Sequence, residues 1–277
     1  MDYVVRSFRD VRIRIGVAGS GPDVVLVHGS WDDHRAWREV AAALSDSYRV
    51  IVYDRRGHGE STVPDGQGRI SEDIDDLAAV IAAVAEGPAH LVGHSYGACI
   101  ALRLAAEQPE LLDSVALHEP PLFGVLAQDP GYRHLFEASR DGMIRAAARI
   151  EQGDPWEGAR TFAEEVALHE QTWEEVLDGD MRRTWVANAH TWLDQSRDPE
   201  RLNLTPDLLA DTRLRVLVTS GGRSPPAFRP GVEQLVARTP DARHRVLEKA
   251  GHFPQLTHAT DYAGIVADFL AGNDNST

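Results

Sequence analysis

Ser95 lies at the centre of Gly93-His94-Ser95-Tyr96-Gly97, where an apolar run ending at Val92-Gly93 passes into an Ala-rich stretch with almost no loop between them. A serine hydroxyl is a weak nucleophile at neutral pH, so it needs a base that takes its proton and later delivers it to a leaving group. Gly-x-Ser-x-Gly at a strand–helix junction provides the geometry for this, a nucleophile elbow. The tight turn forces the serine into strained backbone, and the flanking glycines remove side chains that would collide with the neighbouring strand and helix. The helix start favours the anion formed during attack. The pattern alone is weak and gains its weight from the strand–helix context; the plainer reading is that Ser95 only caps the helix. Histidine is the side chain best suited to act as base, and twelve are available, so position must choose among them.

The elements that must hold such a site follow from the alternation of β-branched runs with Ala-rich helical patterns. Strands are predicted at Val11–Val17, Val24–Val27, Val50–Tyr53, His90–Val92, Ser114–Leu117, Leu214–Thr219 and Arg245–Leu247. Helices are predicted at His34–Leu44, Ser71–Ala85, Tyr96–Glu107, Val232–Arg238 and Asp261–Leu270. This is an α/β pattern, with a mostly parallel twisted sheet of about eight strands and helices on both faces. From about Pro121 to Asp211 the strand signals vanish, and amphipathic helix is broken by Gly153-Asp154-Pro155, Asp178-Gly179-Asp180 and Asp198-Pro199. Residues 1–120 and 212–277 therefore read as the core and 121–211 as a helical cap insertion. Gly19-Ser20-Gly21-Pro22 reads as a hairpin turn between two strands, not as a dinucleotide loop, which needs a helix after its strand. Only Asn273 to Thr277 read as a disordered tail.

With 277 residues, 43% hydrophobic and 26% charged, the chain suits a globular protein with one sizeable core. Its formal charge of −15 disfavours nucleic acid and anionic membrane as partners and otherwise reads as a solubility feature, with no bearing on the substrate. Cys99 is the single cysteine, Met1 to Asp10 lacks a signal-type apolar run, and no stretch is long enough to span a bilayer, so the expected compartment is the cytoplasm. The acids Glu164, Glu165, Glu174 and Glu175 fit a solvated face, without metal-ligand spacing beside them, and no cofactor is expected.

The elbow is accompanied by Leu26-Val27-His28-Gly29-Ser30-Trp31, by Tyr53-Asp54-Arg55-Arg56-Gly57-His58-Gly59-Glu60-Ser61 and by Ala250-Gly251-His252-Phe253-Pro254. In this order, and over nearly the whole chain, the sequence resembles the α/β-hydrolase family. The resemblance implies that His252, in a Gly-rich loop between the last predicted strand and the last helix, is the catalytic imidazole. It implies that His28 orients the oxyanion loop. His58 is expected to brace the loop from Arg56 to Glu60, and His94, an immediate neighbour of the nucleophile in a tight turn, is expected to point away.

The acid departs from the family's common pattern. Most relatives carry an aspartate in a Gly-x-x-Asp setting after the penultimate strand, but here Gly221-Gly222-Arg223-Ser224 puts a serine there. A family variation, as in some haloalkane dehalogenases and the zearalenone lactonases, moves the acid to the end of the strand after the nucleophile helix. Glu119 occupies that position, in His118-Glu119-Pro120. The alternatives are a simple salt bridge for Glu119, Asp194 as the acid, or a dyad without one.

The resemblance further implies an oxyanion hole from the N–H groups of Tyr96 and Ser30, with Trp31 as substitute for the second. Substrate choice is expected to reside in the insertion, which holds Trp156, Trp173, Trp185 and Trp192. Most of these read as glue between insertion and core. Trp185 and Trp192, seven residues apart and expected on one helical face, join Trp31, Leu122 and Phe123 as candidate pocket residues. The expected reaction is hydrolysis of a carboxylic ester or lactone of a small, largely apolar substrate through an acyl-enzyme. A cofactor-free haloperoxidase or perhydrolase, an acyltransferase and a C–C bond hydrolase would use the same triad, and a non-enzymatic small-molecule receptor is the alternative from another class.

Overall fold

The computed structural model describes residues 1–273. Of the tail expected at its end, Asp274 to Thr277 lie outside the described residues. The sheet is built from β1 (Asp2–Phe8), β2 (Val11–Ala18), β3 (Asp23–Val27), β4 (Arg49–Tyr53), β5 (Ala89–His94), β6 (Leu112–His118), β7 (Arg215–Gly221) and β8 (Arg243–Leu247), in the spatial order β1-β2-β4-β3-β5-β6-β7-β8. β2 runs antiparallel to β1 and β4; every other pairing is parallel. The parallel strands are apolar on both faces because helices cover both. Val25, Val27, Ile51, Leu91 and Val115 pack against α2 (Ile70–Val84) and α3 (Tyr96–Glu107), following α1 (Arg38–Leu44) in the chain. The alternate residues Val24, Leu26, Val50, Val52 and Val92 face α1 and the C-terminal helix Ala259–Leu270.

Two expectations about the N-terminal strands are corrected. Gly19 to Pro22 is not a hairpin turn, because β4 is inserted between β2 and β3, with Ile15 opposite Tyr53 and Val25 opposite Ile51. Turn-forming residues report a change of direction and carry no information on which strand becomes the neighbour. β1 was not anticipated: six of its seven residues are exposed, so it lacks the alternation that marks a half-buried strand.

Between β6 and β7 the described residues contain helices and no strand: α4 (Gly124–Gln128), α5 (Arg133–Glu151), α6 (Pro155–Phe162), α7 (Trp173–Val176), α8 (Gly179–Ala187), α9 (Ala189–Arg197) and α10 (Pro199–Leu202). The predicted breaks are helix starts. Asp154, Asp178 and Asp198 each accept a backbone N–H from the first turn, those of Glu157, Met181 and Glu200. Trp185 and Trp192 do not share a helix as expected, since the chain breaks at Asn188 and puts them on α8 and α9. The remaining helices are α11 (Arg229–Arg238), α12 (Pro254–Thr257) and α13 (Ala259–Leu270).

Candidate active site

Ser95 sits between β5 and α3 with φ 54° and ψ −120°, in the strained backbone expected of an elbow. A side chain on Gly93 would lie 2.5 Å from the Gly97 carbonyl, and one on Gly97 would lie 2.3 Å from the Val27 carbonyl. Only glycine allows strand, turn and helix to approach this closely.

The strand ladder sets Glu119 beside Ser95. His94 on β5 is opposite His118 on β6, which is opposite Thr219 on β7. The ladder continues one residue further, as the Ser95 N–H donates to His118 O (2.9 Å) and the Glu119 N–H to Thr219 O (3.2 Å). Glu119 also has positive φ, 44°, which turns the chain at the strand end. Its carboxylate is buried and accepts three hydrogen bonds: Gly221 N–H to Oε1 (2.8 Å), Ser224 hydroxyl to Oε2 (2.9 Å) and His252 Nδ1 at 2.6 Å from Oε2. Ser224 thus donates directly to the carboxylate of Glu119.

Burial pushes the Glu119 carboxyl up, while the hydrogen bonds from Gly221 and Ser224 favour the carboxylate. The same burial lowers His252 to about 3, so its imidazole is neutral at pH 7. With Nδ1–H donated to Glu119, Nε2 carries a lone pair, the form a general base requires. Phe228 stacks on the His252 ring with centroids 4.1 Å apart and planes at 22°. Sequence reading missed Phe228, which carries no local signal.

His94 corrects its expectation. It does not turn away: its ring packs against His252 (centroids 4.8 Å), and its Nε2 donates to the His252 carbonyl (2.7 Å). The residue before Ser95 therefore ties down the loop that carries His252. His118 and Glu119 with His252, and separately Asp33, His34 and Asp54, bring ligand-type atoms within 4.8 Å of one another. In both groups a histidine Nδ1 lies 2.6 Å from a carboxylate oxygen, so these donors are engaged with each other.

On the other side of Ser95, the loop after β3 is held by a buried network. Arg55, 1% exposed, donates its backbone N–H to His28 Nε2 (3.1 Å) and its guanidinium to Gly29 O (2.9 Å) and to Asp73 Oδ1 (3.1 Å). Asp73 also accepts the Tyr96 hydroxyl (3.2 Å). His58 Nδ1 lies 2.8 Å from Arg56 O, bracing that loop as expected, and its Nε2 lies 2.9 Å from Ser30 O. Ser30 is thus fixed through its carbonyl, while Tyr96 opens α3, where an N–H has no carbonyl one turn earlier to bind.

Helices α8 and α9 fasten onto the same loop. Trp185 Nε1 donates to Asp32 Oδ1 (2.7 Å), and Asn188 Nδ2 donates to Trp31 O (2.9 Å). Burial lifts the Asp32 carboxyl to about 7 despite the Trp185 hydrogen bond. Trp31 stacks on Trp185 (5.6 Å, 19°) and on Trp192 (5.0 Å, 23°), so three candidate pocket tryptophans form one aromatic cluster. Phe123 packs on Phe228 (5.4 Å), one ring away from His252. Leu122 lies in the core beneath, against α11.

The fold and the elbow are those of a hydrolase with an α/β architecture. Residues 24–265 match the family described as Alpha/beta hydrolase family, and the chain belongs to it. It is 27% identical over 264 residues to the pimeloyl-acyl-carrier-protein methyl ester esterase of Aeromonas hydrophila, covering 91% of this chain and 96% of that protein. Among solved structures, an alpha/beta hydrolase from Sphaerobacter thermophilus is 27% identical, with TM-score 0.74 over 94% of this chain and 96% of that one. The enol-lactonase from Burkholderia xenovorans shares the fold, with TM-score 0.70, 21% identity and coverage of 97% and 100%. The chain is accordingly a hydrolytic enzyme of this family. Among the described residues no helix is long and apolar enough to cross a membrane.

Proposed function

We propose that the protein cleaves a carboxylic ester or lactone of a small, largely apolar substrate through an acyl-enzyme, with Ser95, His252 and Glu119 as the triad. The observation carrying this reading is the 2.6 Å contact between His252 Nδ1 and Glu119, on a strand end in register with the elbow. His252 Nε2 takes the Ser95 proton as Oγ attacks the carbonyl carbon, and the carbonyl electrons move onto the oxygen. The Tyr96 and Ser30 N–H groups receive that oxyanion, with Trp31 N–H as substitute for the second. The tetrahedral intermediate collapses, the alcohol oxygen leaves with the proton from His252, and Ser95 keeps the acyl group. Water then repeats the sequence: His252 takes its proton, the acid is released and Ser95 regains its hydrogen. Glu119 orients the ring and stabilises the imidazolium of each transition state.

Residues 121–211 serve as a cap in this reading, with Trp31, Trp185 and Trp192 as its aromatic joint and Phe123 beside the imidazole. Leu122 acts from the core by fixing Phe123. The single cysteine, Cys99, is buried and its thiol is pushed up to about 12 by burial, which suits an inert packing role in a reducing cytoplasm. An alkyl fluorophosphonate and p-nitrophenyl esters test the proposal. Stoichiometric labelling of Ser95, with turnover reduced on the order of a millionfold in Ser95→Ala, is expected. Ligand binding without labelling or turnover would contradict it.

A further inference from the structure

Arg201 is a largely buried cation whose charge acts on Tyr96 and Cys99 of α3 and which has no acidic partner among the described residues. It is 9% exposed, it has no hydrogen bond or ion pair to the described residues, and its Nε is shut away from solvent without an acceptor. The acids nearest in sequence are committed elsewhere. Asp198 accepts the N–H groups of Ile70 (2.7 Å) and Glu200 (2.9 Å), and Glu200 pairs with Arg103 (3.4 Å) and Arg69 (3.8 Å). A largely buried guanidinium without an acceptor costs stability, and a bound anion would offset that cost.

Arg201 lines a cavity of about 570 Å³ between α4, α5 and the segment 196–205. Its other walls are mainly apolar, among them Phe123, Phe136, Met143 and Leu204. A second cation, Arg140, sits on the lining and is already paired with the adjacent Asp141 (2.8 Å). None of Ser95, Glu119 or His252 contributes to the wall. The two regions meet at Phe123, which packs on Phe228 and through it on the His252 ring.

We propose that this cavity is a second ligand site, for a small amphipathic anion whose chain or ring lies on Phe123, Phe136 and Met143 and whose carboxylate pairs with Arg201. A guanidinium fork matches a carboxylate in two parallel hydrogen bonds, and apolar walls select an uncharged tail. The volume is that of an ordinary small-molecule site.

Calorimetric titration of the full chain with octanoate tests this. Saturable binding of one octanoate per chain is expected in the wild type and equally in Ser95→Ala. Arg201→Met should weaken octanoate at least tenfold, leave octanol binding unchanged and melt no lower than the wild type, because it removes an unpaired charge. Ile144→Glu, at a wall position already 59% exposed and therefore safe for folding, should also weaken octanoate. The proposal is overturned if the wild type gives no saturable heat, if Arg201→Met binds octanoate as tightly as the wild type, or if it melts lower. Loss of binding in Ser95→Ala would assign the heat to the catalytic cleft and overturn it as well.

Discussion

The two sides of Ser95 are built on different principles. On the acid–base side, Glu119, His252 and Ser224 meet at the ends of β6, β7 and the loop after β8, and their hydrogen bonds orient one ring. On the oxyanion side, His28, Arg55 and His58 contact two carbonyls, Gly29 and Ser30, Asp73 accepts from both Arg55 and Tyr96 behind them, and further ties reach α8 and α9. In the proposed mechanism the first side contributes groups that move protons, and the second fixes backbone so that amides can receive an oxyanion. The difference implies that damage to the first costs rate, whereas damage to the second costs stability first.

Arg55→Met is the strongest way to break this contrast. It leaves Asp73 buried without its cation, and the expected loss is about 3–5 kcal/mol in urea unfolding. A loss below about 1 kcal/mol would mean that the network is ornamental. Acid pH probes both sides with a smaller effect. Burial lowers His28, His58, His94, His118 and His252, the second and the last two to about 3. The unfolded chain takes up protons near pH 6.5 that the folded chain refuses, so this stabilisation is complete above that pH and falls as the pH drops toward 3. Each such histidine contributes at most about 1.4 kcal/mol per pH unit. The buried acids with raised values, Asp32, Asp73, Asp76 and Glu119, act in the opposite sense but are fewer. The urea midpoint should therefore decline from pH 7 to pH 5, and a flat or rising midpoint would contradict the account.

Sequence reading reached the contrast unevenly, for physical reasons. Ser95 was legible because a turn that only glycines permit leaves a fixed five-residue trace. The proposed acid was readable only as a substitution: Ser224 where the family resemblance implies an aspartate, and Glu119 at the neighbouring strand end. That the two touch follows from the β6–β7 register, which no local pattern encodes. His94 was misjudged because its direction is set by the carbonyl of His252, 158 residues away. Phe228, Asp73 and Arg201 act through contacts between elements distant in the chain, and their residue types are common in packing and surface roles.

The central claim is that Glu119, supported by Ser224, is the acid of the triad. It is tested most directly by the rate of fluorophosphonate labelling of Ser95 in Glu119→Gln and Ser224→Ala, with urea unfolding confirming that both fold. The account predicts labelling slowed by about a thousandfold or more in Glu119→Gln and by about tenfold in Ser224→Ala, where one hydrogen bond to a charged group is lost. Near-normal labelling in Glu119→Gln together with collapse in Ser224→Ala would contradict it.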